Sequence, residues 1–181
     1  MKSAKDERIA VRWWRGLQPY TSDGKANASA DRAALARLRR ADLMEAMQDP
    51  ATFALFRALG RRRPAELPDV ALCAATLACV REDRPEHPAR ILGPPSMDEM
   101  QQATIKPLRF RRLIEANPLD ERLTALRRAI QLADRRVNVR ELAGACLDWS
   151  EDRKQRWIFE YYASGFAAPG AEPNHREGSQ A

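Results

Sequence analysis

Apolar residues along this chain recur at helical rather than alternating spacing, and nearly every segment between turn signals reads with a period of 3.6. Residues 5–17 set Ile9, Trp13 and Leu17 on one stripe, which predicts a first helix. The polar stretch TSDGKANAS is a loop, and Asp31 is placed to cap a helix running through DRAALARLRRADLMEAM. Asp49-Pro50 pairs a cap with a proline at the first helical position, and Gly60 is the stop for ATFALFRAL. Leu67-Pro68 opens VALCAATLACV, a segment apolar enough to be buried on most sides. Ser96 and Glu99 have capping-box spacing. Further helices are predicted over 97–104, 107–116, 119–136, 139–148 and 151–165, with Asn138 and Ser150 as caps of the last two. No strand pattern is found.

Between Arg84 and Pro95 the periodicity lapses, and four prolines and a glycine predict a linker or a long ordered loop. The expected organisation is all-α: an N-terminal helical bundle over 1–83, a Pro-rich linker over 84–95, a C-terminal bundle over 96–166 and a disordered tail over 167–181. The first fourteen residues are charged throughout, so no secretion signal is expected, and no apolar run approaches the ~20 residues of a membrane span. Cys73, Cys79 and Cys146 lie in apolar helical patterns and read as buried thiols of a reducing compartment, the cytoplasm.

Catalytic chemistry is hard to assemble from what remains. His87 and His175 fall in the linker and the tail, which leaves no histidine base on a helix face and no zinc spacing. The eight glycines form no phosphate loop. The carboxylate pairs Asp120/Glu121 and Glu151/Asp152 open helices, where negative charge suits the dipole. No enzyme activity, metal or cofactor is expected.

Charge changes the picture more. The 26 arginines and 5 lysines give a net +6. A GC-rich coding sequence would account for arginine over lysine, but not for the excess of base over acid, which favours an anionic partner. From Lys106 to Arg140 there are ten basic and four acidic residues. In RFRRLIEA, Phe110, Leu113 and Ile114 share one face, opposite Arg109, Arg111 and Arg112. Leu119, Leu123, Leu126, Ile130, Ala133 and Val137 form a seam, with Arg128 and Arg135 opposite it and Arg127 and Arg136 on its flanks. These arginines compose an expected basic plate. Arg37, Arg39 and Arg40 form a second cluster and Arg61–Arg63 a third. Spacing alone leaves two readings open, a nucleic-acid binder and a helical adaptor meeting acidic proteins. A helix-turn-helix regulator lacks its short glycine turn.

The order of these segments resembles the CasB family, the small subunit of the type I-E CRISPR surveillance complex Cascade. The resemblance rests on Arg12-Trp13-Trp14, the LRRA of Leu38 to Ala41, DPATFALFRAL, LRFRRLIEA, LTALRRAIQLA and ELAGACLDWSEDRKQRWIFEYY, over about residues 8–165. It implies an all-helical fold without enzymatic activity, present as two copies in a ribonucleoprotein. It also implies contact with other Cascade subunits, with the CRISPR RNA and target DNA, and with the displaced single strand of the R-loop. Carried onto this sequence, the family's basic surface falls on Arg39, Arg40, Arg109, Arg112, Arg127 and Arg128. Glu151 and Asp152 stand where relatives are basic, with Arg153 and Lys154 as the substitutes nearby.

Overall fold

The structure, a computed structural model, describes residues 2–21 and 23–163. The expected tail beyond them, with His175, lies outside the described residues. The described chain forms ten α-helices: α1 (Lys2–Leu17), α2 (Arg32–Arg40), α3 (Leu43–Gln48), α4 (Pro50–Ala58), α5 (Leu67–Leu77), α6 (Pro88–Leu92), α7 (Pro107–Glu115), α8 (Leu119–Leu132), α9 (Val139–Leu147) and α10 (Glu151–Ala163). Two 3₁₀ turns, Pro64–Glu66 and Met97–Gln102, and one parallel pair of two-residue strands, β1 (Glu82–Asp83) and β2 (Arg136–Val137), complete it. The all-helical reading holds.

The caps explain most of the boundaries. Asp31 accepts a hydrogen bond from the Ala34 amide at 2.8 Å, and Asp49, ahead of Pro50, accepts from Ala51 at 2.9 Å. Gly60 ends α4 at φ +66°, a left-handed conformation that glycine adopts without a Cβ penalty. Asn138 caps α9 through the Glu141 amide. The segment expected as one helix over 31–47 is two, because Asp42 and Glu45 make a reciprocal capping box that starts α3 afresh. Ser96 makes no such box. Its hydroxyl bonds the Glu99 carboxylate instead, and 97–102 is a 3₁₀ turn. The helix expected to reach 136 stops at Leu132, since Asp134 and Arg135 take φ of 54° and 60°. The Arg135 carbonyl then accepts from the Arg81 and Glu82 amides, which starts the strand pair.

Helix α5 lies at the centre. Every residue from Val70 to Val80 is buried, and the helix packs against α2, α3, α4, α8 and α9. Helix α1 lies on α9 and α4, and α10 lies on α6. The buried face of α1 is Glu7, Ala10 and Trp14, with Ile9, Trp13 and Leu17 only half-covered beside it. One continuous buried cluster runs from Ala10 to Tyr161. Within the stretch 84–95, Pro88 starts α6, Pro88 is buried, and Ala89 and Leu92 are part of this cluster. His87, expected in the linker, is buried as well. Its Nδ1 accepts from the Ala89 amide, and its ring meets Trp157 edge-on at 5.5 Å.

Candidate nucleic-acid interface

Helices α7 and α8 present the arginines of the opening motif, and their apolar faces fix how. Phe110, Leu113 and Ile114 are buried as the spacing predicts. Phe110 stacks on Tyr161 with ring centres 3.9 Å apart, and the Tyr161 hydroxyl donates to the Ile105 carbonyl at 2.5 Å, anchoring the start of α7. Leu123, Leu126, Ala129 and Ile130 bury the inner face of α8. Between the outer faces runs a groove of about 700 Å³ lined by Arg109, Arg112, Arg127 and Arg128. Ile105, Leu113, Ala125 and Leu132 give it an apolar component. A smaller hollow of about 350 Å³ shares Arg112 and Arg128 and is bounded by Asp120 and Glu121, so acid closes that end.

The arginines differ in how much of their hydrogen-bonding capacity is spent. The side chains of Arg109, Arg112 and Arg128 are exposed and make no hydrogen bond or ion pair among the described residues. Arg111 is equally exposed but lines a different hollow, with Leu108, Ile158 and Tyr162. Arg127 sits on the groove wall, yet its Nη2 donates to the Leu38 and Ala41 carbonyls, both at 2.8 Å. It clasps the C-terminal end of α2, where unsatisfied carbonyls and the helix dipole favour a cation. Arg39 does the same for α5 through the Ala78 carbonyl at 3.2 Å, and the buried Arg122 for α7 through the Ala116 carbonyl at 3.3 Å.

The other expected residues lie apart from the groove lining. Arg40 is exposed on α2 and bonds the Ala36 carbonyl of its own helix. Arg135, half-buried in the turn after α8, reaches Gln131 at 3.3 Å. Arg153 is drawn inward: its side chain is 12% exposed, 2.9 Å from Glu7 and 3.9 Å from Glu141. This follows from Gly144, where a Cβ would run into the Arg153 guanidinium and approach Glu7 Oε1 to 2.7 Å. Arg153 therefore ties α10 to α1 across α9, with little of its side chain at the surface. Lys154 pairs with Glu151 at 2.6 Å. Arg61 and Arg63 share Glu66, and Arg61 also holds Asp6 at 2.8 Å.

Sequence reasoning missed one assembly. Arg8, Arg12 and Arg15 of α1 line a groove together with Arg84 and Arg140. The i, i+4, i+7 spacing on α1 was legible, whereas the approach of Arg84 and Arg140 depends on the fold.

Among the described residues no group of three His, Cys, Asp or Glu side chains is placed to hold a metal ion, and no helix is long and apolar enough to cross a membrane. All three cysteines are free and buried. The Cys73 thiol is pushed well up by its hydrogen bond with Cys146 and by burial.

No curated protein and no solved structure matches the chain. Among protein families, residues 34–162 match CRISPR-associated protein Cse2, a span that includes most of α2, all of α3 to α9 and nearly all of α10. With that match over most of its length, the chain belongs to the CRISPR-associated protein Cse2 family, whose members are subunits of type I-E Cascade.

Proposed function

We propose that this chain is a non-catalytic Cascade subunit that holds nucleic acid by its phosphates, with the α7–α8 groove as its contact surface. The observation that carries the reading is the set of unspent guanidinium groups of Arg109, Arg112 and Arg128 along one groove. Each fork matches a phosphate and reads no base, which suits a strand of arbitrary sequence. In an R-loop the exchange of strands is nearly balanced, so added phosphate contacts to the displaced strand or the CRISPR RNA–target duplex tip it. A second copy of the chain in the same complex extends such a track. Cytoplasmic assembly fits the free thiols.

A protein-docking reading, apolar rather than one of arginines meeting acidic proteins, is favoured on another face. Leu108, Ile158 and Phe159 are 60%, 40% and 62% exposed, and Leu108 and Ile158 border the hollow of Arg111. Docking onto other Cascade subunits there is compatible with nucleic acid in the groove.

The test is the triple substitution Arg109→Ala, Arg112→Ala and Arg128→Ala. Binding should weaken evenly across unrelated sequences, and the salt slope for a single strand should shrink by about 2, roughly 0.7 per lost contact. In the assembled complex, a target with a pre-opened bubble should be largely spared. Unchanged binding at physiological salt would leave the groove as an ordinary solvated face.

A further inference from the structure

The α1 groove has a volume of about 690 Å³ and is lined by Arg8, Val11, Arg12, Arg15, Asp83, Arg84, Pro85, Asn138 and Arg140. It shares no residue with the α7–α8 groove. Helix α1 packs on α9, α9 on α5 and α5 on α8, so α1 and the α7–α8 pair are linked only through other helices in this chain of contacts.

Five arginines face one carboxylate in this lining, and that carboxylate is already engaged. Asp83 accepts from the Val139 amide at 3.0 Å and from Arg15 at 3.2 Å. Arg84 and Arg140 each commit a nitrogen, to Glu82 at 2.9 Å and to Glu7 at 3.1 Å, while their side chains remain 40% and 53% exposed. A guanidinium has five N–H donors, so these pairs orient the forks without exhausting them. Arg12 makes no side-chain hydrogen bond or ion pair among the described residues, and Arg8 bonds only the Ala4 carbonyl one turn back on its own helix.

We propose that this groove is a second nucleic-acid track, binding the phosphodiester backbone of a strand other than the one held by α7 and α8. The inference rests on the reading that the chain binds nucleic acid. A phosphate ligand is favoured over an acidic protein by the lining itself. Protein interfaces concentrate apolar and aromatic residues at their centre and deplete charge there, whereas Val11 and Pro85 are the apolar lining here. Nucleic-acid interfaces are polar and strongly positive.

The experiment uses the full chain and a fluorescein-labelled oligothymidylate, read by anisotropy across a salt series. Arg8→Ala with Arg12→Ala removes two forks that brace no neighbouring element. The pair should weaken binding on the order of tenfold and reduce the salt slope by about 1.4. The same loss should appear in the background lacking Arg109, Arg112 and Arg128. If the α1 pair is silent while that triple loses binding, the second track is wrong and the proposed function stands. If the α1 pair loses binding while the triple is silent, the track is upheld and the α7–α8 assignment falls. If neither set changes binding, both readings fall.

Discussion

The number of donors a guanidinium has already spent separates the arginines of this protein by task. Arg128 on α8 has none engaged, whereas Arg153 is held between Glu7 and Glu141. Sequence spacing placed Arg109, Arg112 and Arg128 correctly on outer faces, because their helices carry clear apolar stripes. It could not show that Arg127, one position from Arg128, points at the carbonyls of α2, since that partner lies 86 to 89 residues away. His87 was illegible for the same reason. Burial, and then Arg156, Arg90 and Arg153 around it, lower its pKa to about 4. Glu141 lies 3.7 Å away and would favour the charged ring, but it is itself held by Arg156 at 3.1 Å, and burial wins. Above pH 6.5 the ring is neutral in both folded and unfolded chains. As pH falls from about 6.5 toward 4, the unfolded chain takes up a proton that the folded one resists, and stability drops by up to about 3 kcal/mol. His87→Asn keeps an acceptor for the Ala89 amide and removes the titration. Urea midpoints measured across that window should fall less steeply for the variant, and parallel curves would contradict the assignment.

At the scale of elements, arginines fasten the negative ends of neighbouring helices. Arg127 joins α8 to the end of α2, Arg39 joins α2 to the end of α5, and Arg122 joins α8 to the end of α7. Arg127→Ala should therefore cost about 2–3 kcal/mol, since a partly buried charged donor to two carbonyls is lost. Arg128→Ala should stay within about 0.5 kcal/mol. Thermal melts of the two variants give the comparison, and equal melting temperatures would mean the clasp contributes nothing. Outside α6, which lies in the stretch read as a linker, and 97–102, which is a 3₁₀ turn, helix existence was legible because caps and apolar period act locally. Boundaries failed where a local signal was passed over, as at the Asp42 capping box, or where a distant one decided. The early end of α8 combines both kinds: Asp134 and Arg135 take left-handed backbone, and the chain just beyond them pairs with 81–84.

For the molecule as a whole, the continuous cluster from Ala10 to Tyr161 predicts a single cooperative unfolding transition. The bundles expected over 1–83 and 96–166 would instead melt as two, and calorimetry distinguishes the outcomes. Proline interrupts helical period wherever it stands, and it does so here in a stretch where Pro88, Ala89 and Leu92 are buried. At the middle of that core, α5 is built largely from small residues: Ala71, Cys73, Ala74 and Ala75 are each fully buried. A core packed at crystal-like density has no room for inserted methyl groups, and overpacking costs typically 1–3 kcal/mol. An alanine codon becomes valine, threonine or proline by one base change, and each of these adds bulk. The gene region encoding α5 should therefore tolerate fewer single-nucleotide changes than the regions encoding the arginine grooves, where exchange among basic and polar residues leaves the fold intact.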